Sequence, residues 1–152
     1  MKAEIKWVEK RTFLGKSGSG FTLPFGTASG EDGIRPGPTA MELVLLGTGG
    51  CSAWDVVQIL EKGRENIEDC VVEMDADRTE EDPQVFTRIH MHFIVTGRGL
   101  STDKVARAIK LSADKYCSAS AMMASDSSTV MAMGFSRRTC LPWANAAMAW
   151  ST

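Results

Sequence analysis

The chain has 152 residues, of which 43% are hydrophobic and 24% charged, and its formal net charge is -2. This length suits one domain with a substantial core. The composition is that of an ordinary globular protein, which argues against a disordered or fibrous chain. The nearly balanced charge provides no field of one sign to attract nucleic acid or an anionic membrane. A small-molecule function is therefore favoured.

The N-terminus lacks the features of an export signal. Charged and apolar residues are interleaved through the first 13 positions, whereas a secretory signal contains an apolar stretch of roughly 7–15 residues. The longest apolar stretch, 41–46, is far shorter than the ~20 residues that cross a bilayer. We expect a cytoplasmic protein without a membrane span. Its four cysteines should then be free thiols, and any disulfide between them should be transient.

The first part of the chain predicts a small antiparallel sheet. Ala3, Ile5 and Trp7 alternate with charged residues, as in a strand with one face in solvent. Two further apolar segments, 12–14 and 21–25, flank a glycine-rich turn, which is typical of a hairpin. A loop rich in glycine and proline, 26–38, follows.

A long helix is predicted next. Thr39 and Glu42 have the spacing of a capping box at its start, and Gly63 is suited to its end. The apolar residues of 43–60 do not keep to one stripe, so we expect a helix that is covered on most sides. The glycines at 47, 49 and 50 each cost about 1 kcal/mol in a helix interior, which indicates a close approach of another backbone.

The second half predicts two strands, a helix and one more strand. In the first strand Cys70 shares the inner face with Val72, Met74 and Ala76, and the second strand spans about 85–95, after a turn at Asp82-Pro83. Ser101 or Thr102 caps a helix that ends just before Cys117 and has Tyr116 on its inner face. Residues 129–135 fit a last strand, and the remaining tail is unassigned. The order of elements indicates an α+β fold.

The central segment has two other interpretations. The run 42–50 could be a strand that enters a phosphate-binding loop, but no Gly-Lys-Ser/Thr follows it. It is also similar to the opening strand of metallo-β-lactamase-like hydrolases. His90 and His92 are too few ligands for such a site, because the chain has only two histidines. No metal and no cofactor is predicted.

Cys51 and Cys117 are the candidate reactive residues. Cys51 follows Gly49-Gly50 within the predicted central helix, and Cys117 lies where a second helical segment could begin. A thiol in the first turn of a helix has a lowered pKa. Free cysteine is, however, among the most buried residue types, so two structural cysteines are an equal alternative from the pattern alone. Cys140 is a weaker candidate.

The segments 38–53 and 113–118, which carry Cys51 and Cys117, resemble the OsmC and organic hydroperoxide resistance superfamily, and within it the YhfA-type branch. The resemblance covers about residues 1–123 of one OsmC-like domain, 1–152, and the tail 124–152 departs from the family pattern. It implies an α+β fold, an interlocked homodimer and two central helices that carry the cysteines. In such a protein Cys51 attacks an organic hydroperoxide, Cys117 resolves the product as a disulfide, and a dithiol reduces that disulfide. A non-catalytic protein that binds a small apolar ligand is the alternative.

The resemblance also implies a glutamate and an arginine that support the reactive thiolate. Glu42 matches the glutamate, and Arg11 and Arg35 are the candidate arginines. In a straight helix Glu42 and Cys51 would lie on opposite faces, about 13 Å apart along the axis. Glu42 therefore either acts through a partner group or serves only as the capping residue.

Overall fold

The structure, a computed structural model, describes residues 1–27, 35–124 and 129–139. The chain divides into two compact units, the first spanning Met1–Gly47 and the second beginning at Thr48. In the described part of the chain, two three-stranded sheets and three α-helices make up the α+β fold that was predicted.

The first unit is built on the predicted antiparallel sheet. Its strands are β1 (Ala3–Glu9), β2 (Thr12–Ser17) and β3 (Thr22–Gly26), in that spatial order. Phe13 and Phe25 are paired across β2 and β3, and their rings stack with centroids 5.6 Å apart. All of β1 is exposed, including Ile5 at 59% and Trp7 at 63%. The inner face that the alternation predicted for this strand is therefore not buried in the single chain.

The long helix α1 (Ala40–Lys62) begins at the predicted capping box. The Thr39 N–H donates to Glu42 Oε2 at 2.6 Å, and the Glu42 N–H donates to Thr39 Oγ1 at 3.2 Å. The helix ends at the predicted place, where the Gly63 N–H still donates to the Ile59 carbonyl. Because residues 42–50 are helical, the strands required by a phosphate loop or by a metallo-hydrolase are both excluded.

The buried face of α1 is narrower than predicted. Its buried residues form one stripe at helical spacing: Thr48, Gly49, Ser52, Val56 and Leu60. Leu46 and Trp54, by contrast, are 62% and 68% exposed. The expectation of a helix covered on most sides is thus wrong for the single chain. By length and composition α1 could also cross a bilayer, a test that core helices of water-soluble proteins pass as well.

Of the three glycines in α1, only Gly49 has a close neighbour among the described residues, and this neighbour is a side chain where a backbone was predicted. A Cβ atom on Gly49 would collide with Met74 Sδ of the neighbouring sheet. A Cβ atom on Gly47 or Gly50 would meet no described atom within 4 Å. Only Gly49 is explained by packing among the described residues.

The second unit contains a mixed sheet with β5 in the centre. Its strands are β4 (Asn66–Arg78), β5 (Phe86–Arg98) and β6 (Val130–Thr139). β4 pairs with β5 antiparallel, and β6 pairs with β5 parallel. The predicted inner face of β5 is buried, with Ile89, Met91, Phe93 and Val95 all fully covered. Cys70, on the predicted inner face of β4, is half-buried.

Three consecutive helical segments follow β5. α2 (Thr102–Leu111) is capped by Ser101, whose Oγ accepts from the Lys104 N–H at 3.4 Å. A π-helical turn (Ser112–Tyr116) comes next, and then the short helix α3 (Ser118–Ala124). The wider π-helical turn shifts the phase of the side chains. For this reason Tyr116 is 50% exposed, against the prediction, and Cys117 is only 2% exposed.

Candidate functional site

The second unit brings the two predicted cysteines together. Cys51 lies in α1, and Cys117 lies between the π-helical turn and α3. Their sulfur atoms and a carboxylate oxygen of Asp55 are all within 4.8 Å of one another. Cys51 is half-buried, whereas Cys117 is buried. A reagent from solvent would thus reach Cys51 first.

Hydrogen-bond donors converge on the Cys117 sulfur. The hydroxyls of Ser52 and Ser120 both lie 3.1 Å from Sγ, and the Ser120 N–H lies 3.4 Å from it. The two hydroxyl oxygens are also 3.1 Å apart. Each hydroxyl has a single hydrogen to donate. At least one of the two serines can therefore donate to the Cys117 sulfur, while the other donates either to the same sulfur or to the first hydroxyl.

This arrangement favours the charged form of Cys117. Burial by itself raises the pKa of the Cys117 thiol, but the hydrogen bonds from Ser120 and Ser52 and a further one from Cys51 outweigh it, so that the pKa lies below its ordinary value. The sequence predicted a lowered pKa from the dipole of a following helix, whereas here it is hydrogen bonds to the sulfur that lower the pKa of Cys117.

The pKa of Cys51 is shifted in the opposite direction. The Ala119 N–H donates to its sulfur and favours the thiolate, but desolvation, the neighbouring Cys117 and the charge of Asp55 outweigh this, so that the pKa of Cys51 is raised. The two thiols titrate as a pair. In the reduced pair, Cys51 keeps its proton and donates it toward the sulfur of Cys117.

Asp55 is held beside the thiols by a buried hydroxyl. It lies four residues after Cys51, so that both side chains project from the same face of α1. The hydroxyl of Ser112 is 3.3 Å from Asp55 Oδ2 and 3.3 Å from the Ser52 carbonyl oxygen. Its single hydrogen can serve either acceptor. Asp55 therefore places a half-buried carboxylate against the sulfur pair.

The other candidate ligands and thiols are placed elsewhere. Within the described residues, Cys51, Asp55 and Cys117 are close enough together to hold a metal ion, and the two histidines are not part of this group. His92 Nε2 instead lies 3.2 Å from Ser136 Oγ. Cys140 lies outside the described residues.

The predicted supporting residues belong to the first unit. Glu42 forms the capping box with Thr39, and its Oε1 lies 3.8 Å from Arg35 Nη1. Its pKa is lowered, chiefly by the hydrogen bonds from Thr39 and to a smaller extent by the charge of Arg35. The Arg11 carbonyl accepts from the Thr27 N–H. Glu42 and Arg35 are thus paired, and a role for Glu42, Arg35 or Arg11 in activating a thiolate stays a prediction.

Four residues of the site were not predicted from the sequence: Ser52, Asp55, Ser112 and Ser120. The sequence contains spacings that could have identified Asp55 and Ser120. The Cys51-x-x-x-Asp55 spacing places both side chains on one helix face, and Cys117-x-x-Ser120 has the spacing of a helix cap. Ser52 and Ser112 carry no such signal, because their partners are distant in the sequence.

A cavity of about 260 Å³ lies elsewhere in the second unit. Its lining includes the apolar residues Ile59, Leu60 and Leu111 together with Lys104 and Arg107. None of the three site residues Cys51, Asp55 and Cys117 lines it. The residues that line this cavity are thus not those of the thiol site.

Comparison with known proteins identifies a family. A family model described as OsmC-like protein matches residues 30–131. Protein YhfA of Escherichia coli K12 is 51% identical over 123 residues, which cover 81% of this chain and 89% of YhfA. A hypothetical protein from Aquifex aeolicus VF5 has a similar structure, with a TM-score of 0.78 and 27% identity over 92% of this chain and 97% of that one. The organic hydroperoxide resistance protein OhrB of Bacillus subtilis shares the fold at a TM-score of 0.61 and 16% identity, over 90% and 98% of the two chains.

Proposed function

The chain belongs to the OsmC-like protein family, and from that premise we propose that it is a thiol-dependent peroxidase that reduces small organic hydroperoxides. One observation carries the proposal: two free thiols, far apart in the sequence, meet in the fold and share a hydrogen bond. The name of OhrB adds that organic hydroperoxide resistance occurs among proteins with this fold.

The different settings of the two thiols support different roles. Cys51 is the more exposed and would attack the terminal oxygen of the hydroperoxide, while its proton moves to the thiolate of Cys117. The O–O bond breaks, Cys51 becomes a sulfenic acid, and the alkoxide takes the proton from Cys117 and leaves as the alcohol. Cys117 thus acts first as the proton acceptor.

The second half of the cycle uses the thiolate that this step restores. Cys117 attacks the sulfur of the Cys51 sulfenic acid, displaces hydroxide and forms the disulfide. An external dithiol then reduces the bridge by thiol–disulfide exchange and is itself oxidised to a disulfide. Because this cycle needs a reducing compartment, we propose that the protein works in the cytoplasm.

Rapid mixing of the reduced protein with an alkyl hydroperoxide tests the proposal. We expect wild type to consume one equivalent without added reductant and to lose two thiols. A Cys117→Ser variant should stop at a sulfenic acid on Cys51, which a sulfenic-acid reagent labels. A Cys51→Ser variant should be inactive. Cys70→Ser, which removes a thiol outside the site, should match wild type. If the thiols of wild type persist, or if Cys51→Ser is as fast as wild type, the proposal is wrong.

We also propose that the active form is a homodimer. The first unit exposes the apolar side chains of Ile5 and Trp7, and α1 exposes those of Leu46 and Trp54. A subunit interface would cover such side chains. Gly47 and Gly50 leave room for a second backbone on α1. Light scattering of the purified protein should give twice the chain mass, and Trp54→Glu should shift the mass toward the monomer. A wild-type protein that remains monomeric at micromolar concentration would contradict this.

A second candidate function is small-molecule binding without turnover. The raised pKa of Cys51 favours it, because a protonated thiol is a poor nucleophile. A Cys51→Ser, Cys117→Ser double variant separates the two functions. If it binds a hydroperoxide analogue as tightly as wild type, and wild type shows no turnover, the binding function is supported. Turnover of the hydroperoxide by the wild-type protein is sufficient to exclude binding without turnover.

A further inference from the structure

We propose that Cys51, Cys117 and Asp55 also form a binding site for a thiophilic divalent metal ion of the zinc type. This inference goes beyond the peroxidase function and does not depend on it. The three ligand atoms, one from each side chain, lie within 4.8 Å of one another. In a tetrahedral zinc site, bonds of about 2.3 Å to sulfur place two sulfurs about 3.7 Å apart. Small changes in side-chain torsion would therefore close the ligands around an ion.

The backbone already presents these ligands as a chelate. Cys51 and Asp55 project from one face of α1, one turn apart, so a single rigid segment supplies a sulfur and an oxygen. Cys117 supplies the second sulfur from the segment before α3. Two thiolates and a carboxylate are ligands that zinc accepts, and three protein ligands leave the fourth tetrahedral position for water. Because Cys51 and Asp55 are only half-buried, this position can be reached from solvent.

A second layer of hydrogen bonds supports each ligand atom. Ser112 lies beside Asp55 Oδ2, which leaves the other carboxylate oxygen free to coordinate. Ser52 and Ser120 donate to the sulfur of Cys117, and the Ala119 N–H donates to that of Cys51. All of these groups are donors, which is the character that metal-bound thiolates and carboxylates need in their outer shell.

The charge of the site explains why a dication fits it. Two thiolates and a carboxylate would bring three negative charges within a few ångströms, so the metal-free site retains a proton. A divalent cation replaces that proton and offsets most of the charge. Binding keeps both sulfurs as thiolates and releases the retained proton to solvent, so that affinity should rise with pH. The same sulfurs would form the disulfide, so metal and disulfide exclude each other.

Anaerobic titration of the reduced, metal-free protein with Co²⁺ and then Zn²⁺ tests the site. We expect one ion per chain, a thiolate-to-cobalt charge-transfer band, the intense visible spectrum of tetrahedral cobalt, and displacement of cobalt by zinc. Competition against a chromophoric chelator gives the affinity. Ser112→Ala should weaken zinc binding about tenfold, the usual cost of losing an outer-shell partner, and Asp55→Asn should weaken it further. Cys51→Ser or Cys117→Ser should abolish the charge-transfer band or halve it.

A Cys70→Ser variant is the matched control, because it removes a described thiol outside the group and should bind like wild type. Circular dichroism confirms that each variant is folded. Absence of the charge-transfer band in wild type, or equal zinc affinity in wild type and Asp55→Asn, would overturn the proposal. Peroxide turnover is measured separately in chelator-treated protein, so failure of either proposal leaves the other to its own test.

Discussion

Replacing Ser120 by alanine should make Cys117 a weaker acid. The hydroxyl of Ser120 lies 3.1 Å from the Cys117 sulfur and is buried. Its removal leaves the Ser120 N–H and the Ser52 hydroxyl as donors to the same sulfur. The Ser52 hydroxyl loses only its alternative partner, so the variant creates no unpaired buried donor. The change thus isolates one hydrogen bond to a charged atom.

The magnitude follows from the strength of such a bond. A hydrogen bond to a charged group contributes about 1.5–3 kcal/mol, and the lower end applies here because two other donors remain. About 1.4 kcal/mol is a factor of ten in an equilibrium constant, so the ionisation constant of the thiol pair should fall about tenfold. The pKa moves upward, and at neutral pH the variant should contain correspondingly less thiolate.

Ultraviolet thiolate absorbance against pH measures this effect. The titration is done in a Cys70→Ser, Cys140→Ser background, so that only the thiol pair contributes. Ser118→Ala is the matched control, because Ser118 belongs to the same short helix but is exposed. If Ser120→Ala and Ser118→Ala titrate alike, the serine hydroxyls do not stabilise the thiolate, and the explanation of its acidity is refuted.

Three further predictions concern the carboxylate, the helix cap and the sheet. Asp55→Asn should lower the pKa of Cys51 by removing a neighbouring negative charge. Iodoacetamide should therefore alkylate Cys51 faster at a fixed pH. An unchanged rate would show that the charge of Asp55 has no effect. Thr39→Ala should cost about 1 kcal/mol in urea unfolding through loss of the cap, whereas Glu42→Gln should keep most of the stability because glutamine also completes a capping box. If Glu42→Gln loses peroxidase activity while its stability is retained, Glu42 has a role beyond the cap. Gly97→Ala should destabilise the protein by about 1–3 kcal/mol, because the added Cβ would overlap the Asn66 backbone. Gly134→Ala should cost less, because its Cβ would meet only side-chain atoms, His92 Nδ1 at 3.4 Å and His90 Nε2 at 3.7 Å.

The features that depend on neighbouring residues were predictable from the sequence. The start of α1 follows from Thr39 and Glu42, which contact each other across three positions. The inner face of β5 follows from strict alternation along one strand. The strand predicted at 129–135 exists as β6, although its parallel pairing with β5 was not visible, because pairing depends on residues far away in the chain.

The errors in the prediction have physical causes of the same kind. Tyr116 was placed inward because a regular α-helix was assumed, but the π-helical turn changes the phase and turns Cys117 inward instead. α1 was expected to be covered on most sides because its apolar residues surround it, yet Leu46 and Trp54 are exposed in the single chain. The proposed dimer would reconcile that composition with burial.

The sequence by itself determined the chemical inventory and the local structure. Cys51 and Cys117 with their helical surroundings, and the cap at Thr39, depend only on residue types and short spacings. Only the tertiary structure decided how the two thiols differ. Ser52 and Ser120 meet at the sulfur of Cys117, and Asp55 lies beside that of Cys51. The acidity of a thiol depends on the donors and charges within a few ångströms of it, and here segments distant in the sequence supply them.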